Sequence, residues 1–180
     1  MDATGFSTKS YVKWCDPRSD RIKRRDWLKL HAAVTGILKA IPSMEVTDGE
    51  ASDSPQLEGL LNALPLDDVE AVAADSAYLS RKNCDLIEAI GAKPYIKLKR
   101  NITPRSHGSR AWRNMVLEWR ENPEAWNKRY HARSLAETAF SVIKRRFGYR
   151  LSSIRRDLQR KELMTKVIAY NLNILAKTKI

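Results

Sequence analysis

The sequence predicts an α/β protein with a mixed sheet, and three observations lead there. Strand-like and helix-like patterns alternate over residues 26–99. The remainder to the C-terminus is helical in pattern. The composition is that of a folded chain: 180 residues, 43% of them hydrophobic, enough for one domain with its own core and too few for two comfortable ones. The expected organisation is therefore a single domain over 1–180, with an irregular basic N-terminus (1–25), a sheet-and-helix region (26–99), a basic linker (100–111) and a helical part (112–180).

The elements are justified in order. Residues 1–25 are polar, and "CDPRSDRIKRR" reads as a basic loop around Pro17. "DWLKLHAAV" alternates through Trp27, Leu28, Leu30 and Val34 and reads as a strand. "ILKAIPSMEVTDG" reads as another, ended by the turn signal Asp48-Gly49. "SDSPQLEGLLNAL" offers Asp53 or Ser54 as an N-cap and Pro55 in the first turn of an amphipathic helix. "VEAVAAD" is a short apolar run that ends in Asp75, the look of a buried strand. "LSRKNCDLIEAIGA" is a helix stopped by Gly91, which tolerates the left-handed conformation a helix end requires, and "KPYIKLK" is a further strand. "RNITPRSHGSR" is turn-rich and basic. Helices follow over "AWRNMVLEWRE", from Pro123, over "RYHARSLAETAFSVIKRRFGYR" (129–150, read as one helix) and over "LQRKELMTKVIAYNLNILAKT".

Charge narrows the function. Thirty-three lysines and arginines against 21 acids leave +12, a surface that attracts polyanions, nucleic acid above all. No apolar run approaches the roughly 18 to 20 residues of a membrane span, so a membrane partner is not expected. Cys15 and Cys84 lack metal-ligand or redox spacing and read as reduced cytosolic thiols. His31 follows the strand alternation and reads as a core or edge histidine; His107 and His131 read as surface residues. Trp112, Trp119 and Trp126, seven residues apart, read as a packing stripe. The acids Asp48, Glu50 and Asp53 fit a turn and a helix cap, not a calcium loop. "KRRFGYR", with Arg145 and Arg146, and "IRRDLQRK" read as faces for a DNA backbone.

The helix over 129–150 holds one acid, Glu137, among many bases. At about 100° per residue from Arg133, Lys144 falls at roughly 20°, Glu137 at roughly 40° and Tyr130 at roughly 60°. Leu135, Ala136, Ala139, Phe140, Val142, Ile143 and Phe147 face the other way, toward a core. Arg133 and Glu137 could be an ordinary i,i+4 pair. A hydroxyl, a guanidinium, a carboxylate and an ammonium on one stripe also suit a polyanion held beside a metal ion. Asp75 at a strand's carboxyl end is where open α/β sheets place binding groups, or else a helix cap. Asp2, in "DATGFS", is by itself only a terminal acid.

Tyr130, Arg133, Glu137 and Lys144 match the Y-x2-R-x3-E-x6-K signature of the DDE transposases of bacterial and archaeal insertion sequences. "AADSAYLSRKNCDLIEAIGAKPYIKLKRN" resembles the family's stretch around its second aspartate and "MDATGFS" the stretch around its first. The resemblance spans essentially the whole chain. It implies an RNase H-like fold in which Asp2, Asp75 and Glu137 are catalytic and hold two Mg2+ or Mn2+ ions about 3.5–4 Å apart. It also implies DNA contacts from Tyr130, Arg133 and Lys144, and cleavage and strand transfer at element ends. The partners would be double-stranded DNA of transposon ends and target, and a second copy as a homodimer. The location would be cytoplasmic, beside the nucleoid. Because only Met1 precedes Asp2, the expectation is also an N-terminally truncated copy, its first strand incomplete, Asp2 loosely tethered and its activity weak. The competing readings are a non-catalytic DNA-binding remnant and an RNA-binding module.

Overall fold

The computed structural model describes residues 1–16, 19–36, 38–65 and 69–178, with the backbone alone for 10–25. Strands β1 (Asp2–Asp16) and β2 (Ser19–Ala33) pair antiparallel, Asp2 opposite Ala32 and Phe6 opposite Leu28. β3 (Ser43–Asp48) pairs antiparallel with the other edge of β2. Then come α1 (Gln56–Asn62), β4 (Ala71–Ala74), a 3-10 turn (Ser76–Tyr78), α2 (Arg81–Ala89) and β5 (Lys93–Ile96). The helical part is α3 (Arg110–Glu121), α4 (Pro123–Tyr130), a 3-10 turn (His131–Arg133), α5 (Ser134–Phe147) and α6 (Arg156–Leu175).

The α/β class with mixed strand directions is as expected, but the hydrogen bonds divide into two ladders. One is the antiparallel sheet β1-β2-β3; the other is the parallel pair β4-β5. They meet where the Met1 amine donates to the Ala73 carbonyl of β4.

β2 shows what the alternation achieves. Leu28, Leu30 and Ala32 face a core shared with Phe6, Ala136, Phe140, Ile143, Leu163 and Val167 of β1, α5 and α6. Ala33 belongs to the opposite core, with Leu57 and Leu60 of α1, Tyr78, and Cys84 and Ile87 of α2. A strand of period two thus has apolar cover on both faces. Each fully buried leucine adds about 1.5–3 kcal/mol.

Several expectations need correction. Residues 1–25 are not irregular: β1 begins at Asp2 and β2 at Ser19. Lysines and arginines disguised two strands whose "YVKW" segment is rich in residues that favour extended backbone. Asp2 is not on a loose end, since it lies in the β1–β2 ladder opposite Ala32. The loop expected around Pro17, and the side chain of Cys15, lie outside the described residues. Neither Asp53 nor Ser54 caps α1, where Pro55 holds the N-cap position without a side-chain bond. Asp53 instead binds Lys29 Nζ at 2.8 Å, and Ser54 accepts from Asn83. The single helix over 129–150 is α4, a 3-10 turn and α5, so the uniform 100° rotation breaks between Tyr130 and Ser134.

Other readings hold. Gly91 follows α2 at φ +79°. Trp112 and Trp126 are buried, though on α3 and α4 rather than along one helix. Buried Cys84 is a free thiol, pushed up to about 12 chiefly by burial. Among the described residues no helix is long and apolar enough to cross a membrane.

His31 is fully buried, with Nδ1 3.1 Å from the Tyr78 hydroxyl and Nε2 2.9 Å from Thr47 Oγ1. Burial lowers its pKa from 6.5 to about 4, against the opposing pull of Asp53. Between those values the unfolded chain binds a proton that the folded chain refuses. Its contribution is therefore complete above about pH 6.5 and is lost as pH falls toward 4. Urea unfolding at pH 7 and pH 4.5 should show a loss of up to about 3 kcal/mol from this residue. The same comparison on His31→Asn should show a smaller pH dependence.

Candidate functional site

Of the residues singled out by charge and spacing, Asp2, Arg133 and Glu137 are brought into contact by backbone placement. Asp2 opens β1, and Asp75 directly follows β4. Asp75 is extended (φ −73°, ψ 166°) and caps the 3-10 turn, its Oδ1 accepting from the Ser76 amide at 2.7 Å. The capping reading is thus realised, and it fixes the carboxylate at the carboxyl end of β4. Burial pushes the Asp2 carboxyl above its ordinary range and the negative charge of Asp75 adds to this, while the Ala3 amide and Arg133 oppose it.

Glu137 lies in the first turn of α5 and is exposed. It reaches Asp2 through Arg133: Nη1 is 2.8 Å from Asp2 Oδ2 and Nη2 is 2.7 Å from Glu137 Oε1. The ordinary i,i+4 pair is therefore formed, but the same guanidinium also spans to β1, 131 residues away in sequence. Its Nε is buried and has no hydrogen-bond partner. Tyr130, at the end of α4, stacks on Trp126 with centroids 5.4 Å apart, and the Arg133 guanidinium carbon lies 5.8 Å from the centre of its ring. Burial raises the Tyr130 pKa, Arg133 opposes the rise, and Asp75 and Asp2 add to it. Tyr130 therefore lies within electrostatic reach of Arg133 and of both aspartates.

Lys144 lies two turns further along α5. Its Nζ donates to Thr4 Oγ1 at 2.6 Å and lies 5.4 Å from the centre of the Phe6 ring. Burial lowers its pKa. Glu137, Lys144 and Arg145 line an open groove of about 1030 Å³ with Asp2, Thr4, Trp27 and Tyr149. Arg146 turns away, donating from Nη1 to Asn173 Oδ1 of α6 at 2.6 Å. The arginines of "IRRDLQRK" are also paired: Arg156 with Asp26 and Asp48, Arg160 with Asp48, Arg155 with Asp157.

The sequence pattern did not single out Thr4, Trp27 or Tyr149. Thr4 lies two residues after Asp2, on the same face of β1, a signal that period-two reasoning could have used. Tyr149 lines the groove because 149–151 closes on the β1 edge: Ser7 N donates to Tyr149 O at 3.1 Å and Leu151 N to Ser7 O at 2.8 Å. Gly148, at φ +79°, makes that turn out of α5.

As a metal site, three carboxylates are the hard oxygen donors that a small divalent cation prefers. The charge of Asp75 disfavours that of Asp2, and Asp2 and Glu137 already share a cation, the guanidinium. Among the described residues no three His, Cys, Asp or Glu side chains come close enough together to form a metal-holding group. The donors fit in kind, and the Arg133 fork lies between two of them.

A family model described as "Transposase DDE domain" matches residues 1–172. Over 104 residues the chain is 32% identical to an Archaeoglobus fulgidus protein described as "Probable transposase for insertion sequence element ISA1214". That match covers 58% of this chain and 31% of the relative, so the chain spans about a third of the length of that protein. No solved structure matches the chain.

The Lys144–Thr4 contact is testable by itself. Thr4→Val keeps the side chain's shape and removes the acceptor from a half-buried ammonium. It should cost about 1 kcal/mol in urea unfolding, and Lys144→Met in the same background should recover part of that loss.

Proposed function

As this chain belongs to the family of DDE transposase domains, we propose that it cleaves DNA and transfers strands at the ends of an insertion sequence, with Asp2, Asp75 and Glu137 as its catalytic carboxylates. The observation that carries this reading is the Arg133 bridge between Asp2 of β1 and Glu137 of α5, with the charge of Asp75 felt at Asp2, beside a groove that Asp2 and Glu137 line together with Lys144 and Arg145. We read the two ladders as halves of one RNase H-like sheet in the order β3-β2-β1-β4-β5, a reading supported by the Met1–Ala73 contact.

Asp2, Asp75 and Glu137 would hold Mg2+ or Mn2+, which when bound supplies Lewis acidity toward the attacking and leaving oxygens of the phosphodiester. The other side chains position DNA. Lys144, fixed by Thr4, places one positive charge on the groove wall, where a phosphate oxygen replaces a hydroxyl as its partner. Arg145 adds an exposed charge beside it. Arg133 has the planar fork that matches a phosphate in two contacts. Tyr130, held flat against Trp126, supports the guanidinium. Arg146 and the Arg155–Arg160 stretch are better read as structural, because acids and Asn173 hold them.

A second reading keeps DNA binding and drops catalysis: a remnant in which the Arg133 bridge permanently takes the place of the ion. Its support is that a guanidinium already neutralises Asp2 and Glu137. The readings part in one experiment on duplexes carrying the element's terminal repeats. Under the first, Asp75→Ala and Glu137→Ala each lower Mg2+-dependent strand cleavage at least about 10³-fold, and chelation of the metal abolishes it. Under the second, no protein cleaves and neither substitution matters. In both, Lys144→Ala should weaken DNA binding and flatten the dependence of log K on log salt by about 1.

A further inference from the structure

Arg133 is more than one half of a helix-surface pair. A pair of that kind is solvated and adds a few tenths of a kcal/mol. Here the guanidinium is only 20% exposed, one of its carboxylate partners, on Asp2, is 14% exposed, and the bridge joins α5 to the first residue of β1. Two carboxylates are held by one planar cation where the preceding reading puts a metal ion. We propose that Arg133 is a resident counter-ion that stands in for the divalent cation between Asp2 and Glu137, and that a DNA phosphate draws it away, so that metal and DNA each tighten the binding of the other. This rests on the metal-dependent reading above and adds a regulation to it.

The physical argument has three parts. First, Asp2 is mostly buried and Asp75 lies near it, so Asp2 without a compensating cation is costly; the bridge lets the carboxylates stay together when no ion is present. Second, the guanidinium occupies Asp2 Oδ2 and Glu137 Oε1, oxygens of two of the carboxylates that would hold the ion, and two cations there would repel each other. Occupancy by one opposes the other, and metal affinity in free protein is reduced by the cost of moving the arginine. Third, Arg133 leaves Nε buried and unpartnered in the bridged state. A phosphate can take Nε and one Nη together, so the departing side chain gains the hydrogen bond the bridge denies it. The Tyr130 ring, 5.8 Å away, gives the guanidinium a surface to rest on as it turns. By linkage, whatever factor DNA adds to metal affinity, metal adds to DNA affinity.

The test is Mn2+ binding to the 180-residue chain, followed by electron paramagnetic resonance of free Mn2+, with and without a short duplex. It is run on wild type, Arg133→Gln, Arg133→Lys and Asp75→Asn, with circular dichroism confirming the fold of each. The duplex should tighten Mn2+ binding to wild type by about tenfold, within the usual range of coupling. Arg133→Gln should bind Mn2+ about tenfold more tightly than wild type without DNA, and gain less from the duplex. Arg133→Lys, with one ammonium unable to bridge both carboxylates, should fall between. If Arg133→Gln does not fold, the lysine variant decides: tighter binding than wild type supports the proposal and unchanged or weaker binding overturns it. Arg133→Gln binding Mn2+ no more tightly than wild type, while Asp75→Asn still loses it, overturns the counter-ion and leaves the metal-dependent reading standing. No Mn2+ binding by wild type or either Arg133 variant, with or without duplex, overturns both.

Discussion

Strand β2 is hydrogen-bonded along both edges and covered on both faces, and this double constraint sets the positions of the other elements. Its register with β1 puts Asp2 opposite Ala32, and its register with β3 puts Thr47 opposite Lys29, two residues before His31. Because side chains alternate, one face carries Leu28 and Leu30 against α5 and α6. The other turns Ala33 toward α1. A slip of one residue would exchange these faces, setting Lys29 against α5 and α6 in place of Leu30. The register is thus fixed by burial, and with it the position of Asp2 relative to a helix 131 residues further along the chain.

That placement explains how a protein of charge +12 can hold Asp2 and Glu137 on one guanidinium. Each of the three candidate carboxylates is tied by its own partners. Asp75 is satisfied by the amide of the turn it caps. Asp2 accepts from the Ala3 amide at 2.9 Å and from Arg133. Glu137 depends on Arg133. The cluster therefore has one shared partner, and a change in Arg133 reaches two acids together.

Much of this was legible in the sequence. The helix stop at Gly91, the buried run ending in Asp75 and the core face of α5 follow from local rules about glycine, apolar runs and helical period. Sequence spacing also identified the i,i+4 pair. It could not reveal that Arg133 spans to Asp2, because that contact depends on the β1–β2 register. Residues 1–25 were misread for a related reason. Lysines and arginines weaken a hydrophobic signal, and a strand paired along its length can form without a strong apolar pattern. The break between α4 and α5 left no residue signature, since Tyr130, Arg133 and Ser134 all keep right-handed backbone angles. Only the hydrogen-bond spacing changes.

Net charge alone does not tell which bases are free for an outside anion. Arg155, Arg156, Arg160 and Arg146 are basic residues in a basic stretch, yet each is held by a partner on the protein. Arg156 in particular closes α6 onto β2 and β3 through Asp26 and Asp48, a contact that orders the sheet. The cations beside the acids differ in kind. Lys144 is held by a neutral hydroxyl, and Arg133 leaves one nitrogen without a partner. A neutral acceptor yields to phosphate more readily than a carboxylate does, because charge-assisted hydrogen bonds are roughly twice as strong as neutral ones. What separates a base open to a new anion from one committed to the fold is therefore the charge of its present partner. By that measure Lys144 exchanges its partner more readily than Arg133, whose two carboxylates hold it in place.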